Sequence, residues 1–269
     1  MLQFEKPVYK ITDSVESNFY GKFELEPLER GFGNTIGNAL RRVMLSSLPG
    51  SAISSIKIDG VLHEFQTIDG VYEDVATIIL NLKGVVIKNH TNGPKTLHLN
   101  ATEEGEVTAG DIESDPDVEI INKDKVIATL SKGGKLNMEI VVTNGRGYVD
   151  SEINKKLLDI KKPGVIAIDS SYSPIERVSY EVEPARVGQD ETYDKLVLEV
   201  WTNGSMKPEE AIALASRILI EHFELLTDLS SIADVSGMMI EKTEDPKTKA
   251  LETSIEDLDF SVRAYNCLK

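Results

Sequence analysis

Near its amino terminus the chain alternates apolar and polar residues in two runs, KPVYKITD (6–13) and YGKFELEPL (20–28), joined by the turn-forming SVESN. A period of two predicts half-buried antiparallel strands. In the second run Phe23 and Leu25 would face one way, with Lys22, Glu24 and Glu26 the other. The period then becomes helical. Ile36, Leu40, Val43 and Ser47 share one face, with Ala39 and Met44 beside them, which predicts a helix over about 33–47 that stops before Pro49-Gly50.

From residue 51 to about 168 the texture changes. SAISSIKIDGVLHEF is strand-rich, and EDVATIILNLKG predicts a helix closed by Gly84. Short alternating runs follow (GVVIKNH, TLHLNAT, DVEIIN, KVIATLS and LNMEIVV), separated by the turn signals TNGP, SKGGK and TNGRG. Many short strands with one helix predict a compact α+β module. Beyond it, IERVSYEVEPARV and KLVLEVWTN, joined by the polar GQDETYD, predict a hairpin.

The clearest helix is KPEEAIALASRILIEHFELLTDL, residues 207–229. Pro208 suits the first helical position, and Glu209 and Glu210 suit the positive end of the dipole. Lys207, where an Asp or Ser cap is preferred, opposes that dipole at a cost of a few tenths to about 1 kcal/mol. About 22 residues span roughly 33 Å. One stripe carries Ile212, Ala215, Leu219, Phe223 and Leu226, and a second carries Ala211, Leu214, Ile218 and Leu225. A surface helix needs only one apolar stripe about 100° wide, and one sheet covers only one. The second requires either central burial in a large monomer or a second copy of the protein. So few other helices are available that the homodimer is the preferred reading. After residue 233, DVSGMMIEKTEDPKTKALETS loses periodicity and gains charge, as a linker would, before the amphipathic SIEDLDFSVRAYNCLK.

Composition narrows the class. The 269 residues are 41% hydrophobic, enough for a proper core in one large domain or two small ones. The lone Cys267 rules out an internal disulfide framework, and no apolar leader or span is present, so a cytoplasmic setting is expected. A net charge of -16 repels nucleic acid wherever basic residues do not cluster, which makes protein partners the leading expectation.

Residues 28–47, LERGFGNTIGNALRRVMLSS, carry the one motif that resembles a phosphate cradle. A P-loop would need Lys-Ser/Thr after its last glycine, whereas Asn38 and Ala39 follow Gly37. A dinucleotide fold needs a buried parallel strand before the glycines, whereas this strand is half exposed and carries Glu24 and Glu26, with Glu29 after it. The glycines are better read as letting another backbone come close. Arg41 and Arg42 fan about 100° apart beside Leu45, a composition that fits a contact surface as well as a solvated pair. His63, His90, His98 and His222 are scattered without metal-ligand spacing, and no GxSxG elbow occurs. The residues by themselves predict a binding or assembly protein.

LEPLERGFGNTIGNALRRVMLSSLPG, followed by IDGVLHEF, EDVATIILNLKG, GRGYV, YSPIERVSYEVEPARV, DKLVLEVWTNG and PEEAIALAS, closely resembles the bacterial RNA polymerase alpha-subunit family. The match runs in order through essentially the whole sequence. It implies an α+β, two-lobed N-terminal domain. The dimerisation lobe would be 1–49 and 169–232, the inserted lobe 50–168, the linker 233–253, and 254–269 the start of a C-terminal DNA-binding domain.

In that family the two long helices pack against their copies, which puts Phe32, Ile36, Leu40, Ile212, Leu219, Phe223 and Leu226 at a dimer interface. The dimer is the platform for the beta and beta-prime subunits, and the resemblance implies contacts at Arg42, Leu45, Lys83 and Ile168, with Arg41 as their neighbour. Arg263, Asn266 and Lys269 correspond to promoter contacts, but the sequence stops where that domain has barely begun, so promoter DNA and activators are expected only through a complete C-terminal domain. The implied role is a non-catalytic subunit of a nucleotidyltransferase, with no cofactor and no metal. The alternative, a stand-alone dimeric DNA-binding regulator, would need a complete basic recognition element, which this sequence lacks.

Overall fold

The structure, a computed structural model, describes residues 4–15, 19–158, 163–187, 190–227 and 239–240. It is α+β, with antiparallel main sheets and four α-helices among the described residues: α1 (Phe32–Ser47), α2 (Val75–Lys83), α3 (Ser151–Leu157) and α4 (Pro208–Thr227).

Residues from both ends of the described sequence build the first lobe. Its four-stranded sheet runs Ile175–Val187, Asp190–Thr202, Tyr20–Leu28, Val8–Val15, every neighbour antiparallel. Both long helices lie on one face. Leu40, Met44 and Leu48 of the α1 segment meet Val178, Leu198 and Val200 of the sheet and Ala211 and Ala215 of α4 in one core, with Phe23 packed against it. The opposite face is polar: Lys195 sits between Glu24 (3.3 Å) and Glu183 (3.1 Å). The alternation expected at Phe23 and Glu24 thus has its physical cause in a sheet with one covered side.

The hairpin is tighter than expected. Asp190–Asp194, read from sequence as part of the polar connection, already belong to the strand Asp190–Thr202, with Asp194 opposite Pro184.

The second lobe is a six-stranded sheet running Lys95–Ala101, Leu136–Arg146, Pro49–Ile58, Ile87–Asn89, Val118–Ile120, with Val165–Ala167 also on Pro49–Ile58. Its core gathers Ile56, Ile78, Leu82, Leu99, Ile127, Leu136 and Ile140, all essentially solvent-free. Asp74 caps α2 by accepting from Thr77 N at 2.8 Å, and Gly84 closes it. Two expectations fail here. TNGRG is not a turn at its start, because Thr143–Arg146 continue the strand opposite Ala52–Pro49. The module also has a second helix, α3, which Asp150 caps at Ile153 N (2.9 Å).

The lobes meet where the backbone passes from one to the other. Only Leu48 separates α1 from the strand Pro49–Ile58. Gly50 lies directly under the Tyr172 carbonyl and Gly145 under the Tyr172 ring, so that a Cβ on either would collide. The Tyr172 hydroxyl is 2.8 Å from Thr143 Oγ1. No helix among the described residues is long and apolar enough to cross a membrane.

Candidate functional site

The glycine turn is already filled. Gly31 adopts φ 91°, a left-handed conformation that glycine enters without strain, and its N–H donates to Asp194 Oδ2 at 2.7 Å. A carboxylate from the sheet therefore occupies the positive end of α1, where a phosphate would have to sit. Gly33 and Gly37 allow a close approach, but of side chains rather than the backbone expected from sequence. A Cβ at Gly33 would lie 2.8 Å from Val182 Cγ1, and one at Gly37 would lie 2.7 Å from Tyr180 Cδ2. Both glycines seat α1 flat on the sheet.

Between α1, α4 and the edge strand Val8–Val15 runs an open apolar groove of about 690 Å³. Ile36 and Leu40 line its α1 wall, Ile212, Leu219, Ile220 and Phe223 its α4 wall, and Tyr9 and Ile11 its edge. The stripe of α4 that the lobe covers is the Ala211 side, with Ala215, Leu214 and Ile218 against the core. The other side stays open: Phe223 is 57% exposed, Ile220 and Leu226 are exposed as well, and Leu225, at the far end of the Ala211 stripe, is also exposed. Of the expected dimer residues, Ile36, Ile212, Leu219 and Phe223 share the groove, while Phe32 and Leu226 are exposed outside its lining. Leu40 lines the groove as well. It is only 7% exposed and packs mainly inside its own lobe, because it sits between the α1 seat and the sheet.

A run of contacts leads from the implied contact residues of α1 to Lys83. Arg41, Arg42 and Leu45 are exposed on α1, and the Ser46 carbonyl one residue on lies against Gly147. Tyr148 follows, and its hydroxyl bonds to Asp169. Asp169 pairs with Lys83 Nζ at 2.7 Å and accepts from Ser151 N at 3.0 Å. The Lys83 ammonium, with these N–H and O–H donors, holds the Asp169 carboxyl below the usual carboxylate range. Lys83 and residue 168, far apart in sequence, are thereby brought to one corner.

Ile168 itself is buried. At 3% exposure its side chain belongs to the core of the second lobe, and its N–H donates to Ser54 O, so it presents no side chain outward. Arg263, Asn266 and Lys269 lie outside the described residues. Among the described residues no group of three His, Cys, Asp or Glu side chains is placed to hold a metal ion.

Sequence reasoning missed one exposed apolar group. Phe65 is 81% exposed, and Leu62 and Tyr72 are comparably open in the loop before α2. The available signal was large apolar residues in HEFQTIDGVYED, a stretch with no period to bury them.

Comparison with known proteins supplies the last observation. Residues 56–173 match the RNA polymerase Rpb3/RpoA insert domain, and residues 241–269 match the C-terminal domain of the bacterial RNA polymerase alpha subunit. The protein is 56% identical over 269 residues to the DNA-directed RNA polymerase subunit alpha of Clostridium perfringens and to that of Desulforamulus reducens. It is 55% identical to the subunit of Symbiobacterium thermophilum. Each match covers all of this sequence and 85% of the relative.

Proposed function

The chain belongs to the family of DNA-directed RNA polymerase alpha subunits, and from that premise we propose that it is the homodimeric assembly scaffold of a bacterial RNA polymerase. Two copies join through the apolar groove between α1 and α4. The joined pair offers the exposed face of α1 and the Lys83–Asp169 corner to the beta and beta-prime subunits, and contributes no catalytic group to the nucleotidyl transfer. A C-terminal domain of the family's kind contacts promoter DNA and regulators.

The groove of about 690 Å³ carries this reading. Its walls are almost wholly aliphatic and aromatic, and open apolar surface of this extent on a protein of net charge -16 is stabilised by being covered. A second copy presents the same walls, and a two-fold pairing is self-complementary by construction. The N-terminus of α1 supports the same conclusion from the other side, since the Asp194 carboxylate on the Gly31 N–H opposes the negative charge of a nucleotide's phosphates.

Phe223→Asp tests the dimer. Phe223 is 57% exposed within the protomer, so the substitution should leave the fold intact while placing a charge in the joined groove. Sedimentation equilibrium should then show a monomer, and circular dichroism should show it folded. A dimer of undiminished affinity would overturn the proposal.

A further inference from the structure

The stretch after α4 reads as a solvated linker, yet it contains three consecutive apolar residues, Met238, Met239 and Ile240, among charged and turn-forming neighbours. The structure uses two of them. Met239–Ile240 pairs in parallel with Phe4–Glu5, with Phe4 opposite Met239 and Glu5 opposite Ile240. We propose that Met239–Ile240 is an intramolecular docking strand, which fixes the departure point of the C-terminal segment to the amino-terminal edge of the first lobe rather than to the end of α4.

Three features support the pairing. The first is geometric reach. Tyr9 and Ile11 of the neighbouring edge strand line the same groove as Ile220 and Phe223, so the amino-terminal edge runs beside the second half of α4. From Thr227, the last described residue of α4, twelve residue steps lead to Met239, and at about 3.3–3.6 Å per residue they span up to roughly 40 Å. The backbone can therefore return to its own edge. The second is strand chemistry: Pro7 has no N–H to donate, which disfavours continuation of the ladder toward Val8. The third is position. The match to the C-terminal domain begins at residue 241, immediately after the docked pair, so whatever holds Ile240 also holds the base of that segment.

A cysteine pair tests this in the full-length sequence with Cys267→Ser. Registered residues on adjacent strands lie within disulfide range. Under mild oxidation Glu5→Cys with Ile240→Cys should cross-link at least about ten-fold faster than the out-of-register pair Glu5→Cys with Thr243→Cys. The experiment uses mixed light and isotope-labelled protein, and peptide mass spectrometry should find the link within single molecules. Equal rates for the two pairs would overturn the proposal, and so would links found only between light and heavy protomers, which would assign the strand to the other copy. Ile240→Pro supplies a second reading: hydrogen exchange at residues 4–6 should speed up while the strand Asp190–Thr202 keeps its protection. Unchanged exchange at 4–6 would equally overturn it.

Discussion

The Asp194 carboxylate and the Gly31 N–H, 163 residues apart in sequence, meet at 2.7 Å at the start of α1. The contact joins the second strand of the hairpin to the helix that the glycines open, and it supplies the negative charge that a helix N-terminus favours. Asp194→Ala should therefore lower stability by about 1 kcal/mol, the usual worth of a lost N-terminal acceptor. Chemical denaturation checks this: an unchanged midpoint would mean that water replaces the carboxylate without cost. Calorimetry with ATP or NAD should show no heat at this turn in the unaltered protein.

Gly37→Val addresses the seat of α1. Its Cβ would stand 2.7 Å from Tyr180 Cδ2 and 2.9 Å from Leu196 Cδ1, both set in the sheet beneath. Overpacking of this kind costs about 1–3 kcal/mol. The thermal unfolding midpoint should fall accordingly, whereas a stability equal to or above that of the unaltered protein would show that the helix can lift without penalty.

Tyr20 provides a pH test. Burial, and then the hydrogen bond to Glu199 at 2.7 Å, push its phenol up to about 12. An unfolded tyrosine ionises near pH 10. The fold thus favours the neutral phenol, and this contribution is fully present below about pH 10 and lost as pH rises through about 12. Tyr20→Phe should accordingly lose less stability than the unaltered protein between those two values. Parallel stability curves for the two proteins across that window would contradict the assignment.

Arg42→Ala separates assembly from folding. The guanidinium is exposed and makes no ion pair among the described residues, so its removal should leave the dimer and its unfolding midpoint unchanged. Capture of the beta subunit should weaken, by roughly ten-fold if Arg42 anchors that contact. Co-purification of beta at the unaltered level would remove Arg42 from the interface.

These elements differ in how far the sequence announces them. The helices α1 and α4 are legible because each carries at least four turns of apolar period, long enough for spacing to outweigh local noise. α3 is not, since seven residues make two turns and its stability comes from Asp150 and from the buried Asn154, which donates to Ile168 O and Ser170 Oγ. Asn144-Gly145 misleads because that pair favours turns in isolation, whereas here Gly145 is required by the Tyr172 ring packed on it. At the candidate site, exposure of Arg42 and Leu45 follows from helix phase alone. The burial of Ile168 and the joining of Lys83 to Asp169 do not, because both depend on strands that meet only in the folded second lobe.

Tyr172 sets how the two lobes can behave together. Its carbonyl presses on Gly50, its ring on Gly145 and its hydroxyl on Thr143, so the outgoing backbone is clamped across the incoming strand and that strand's neighbour at one spot. These contacts tie the backbone that leaves the second lobe to the strand that enters it, and that strand begins one residue, Leu48, after α1.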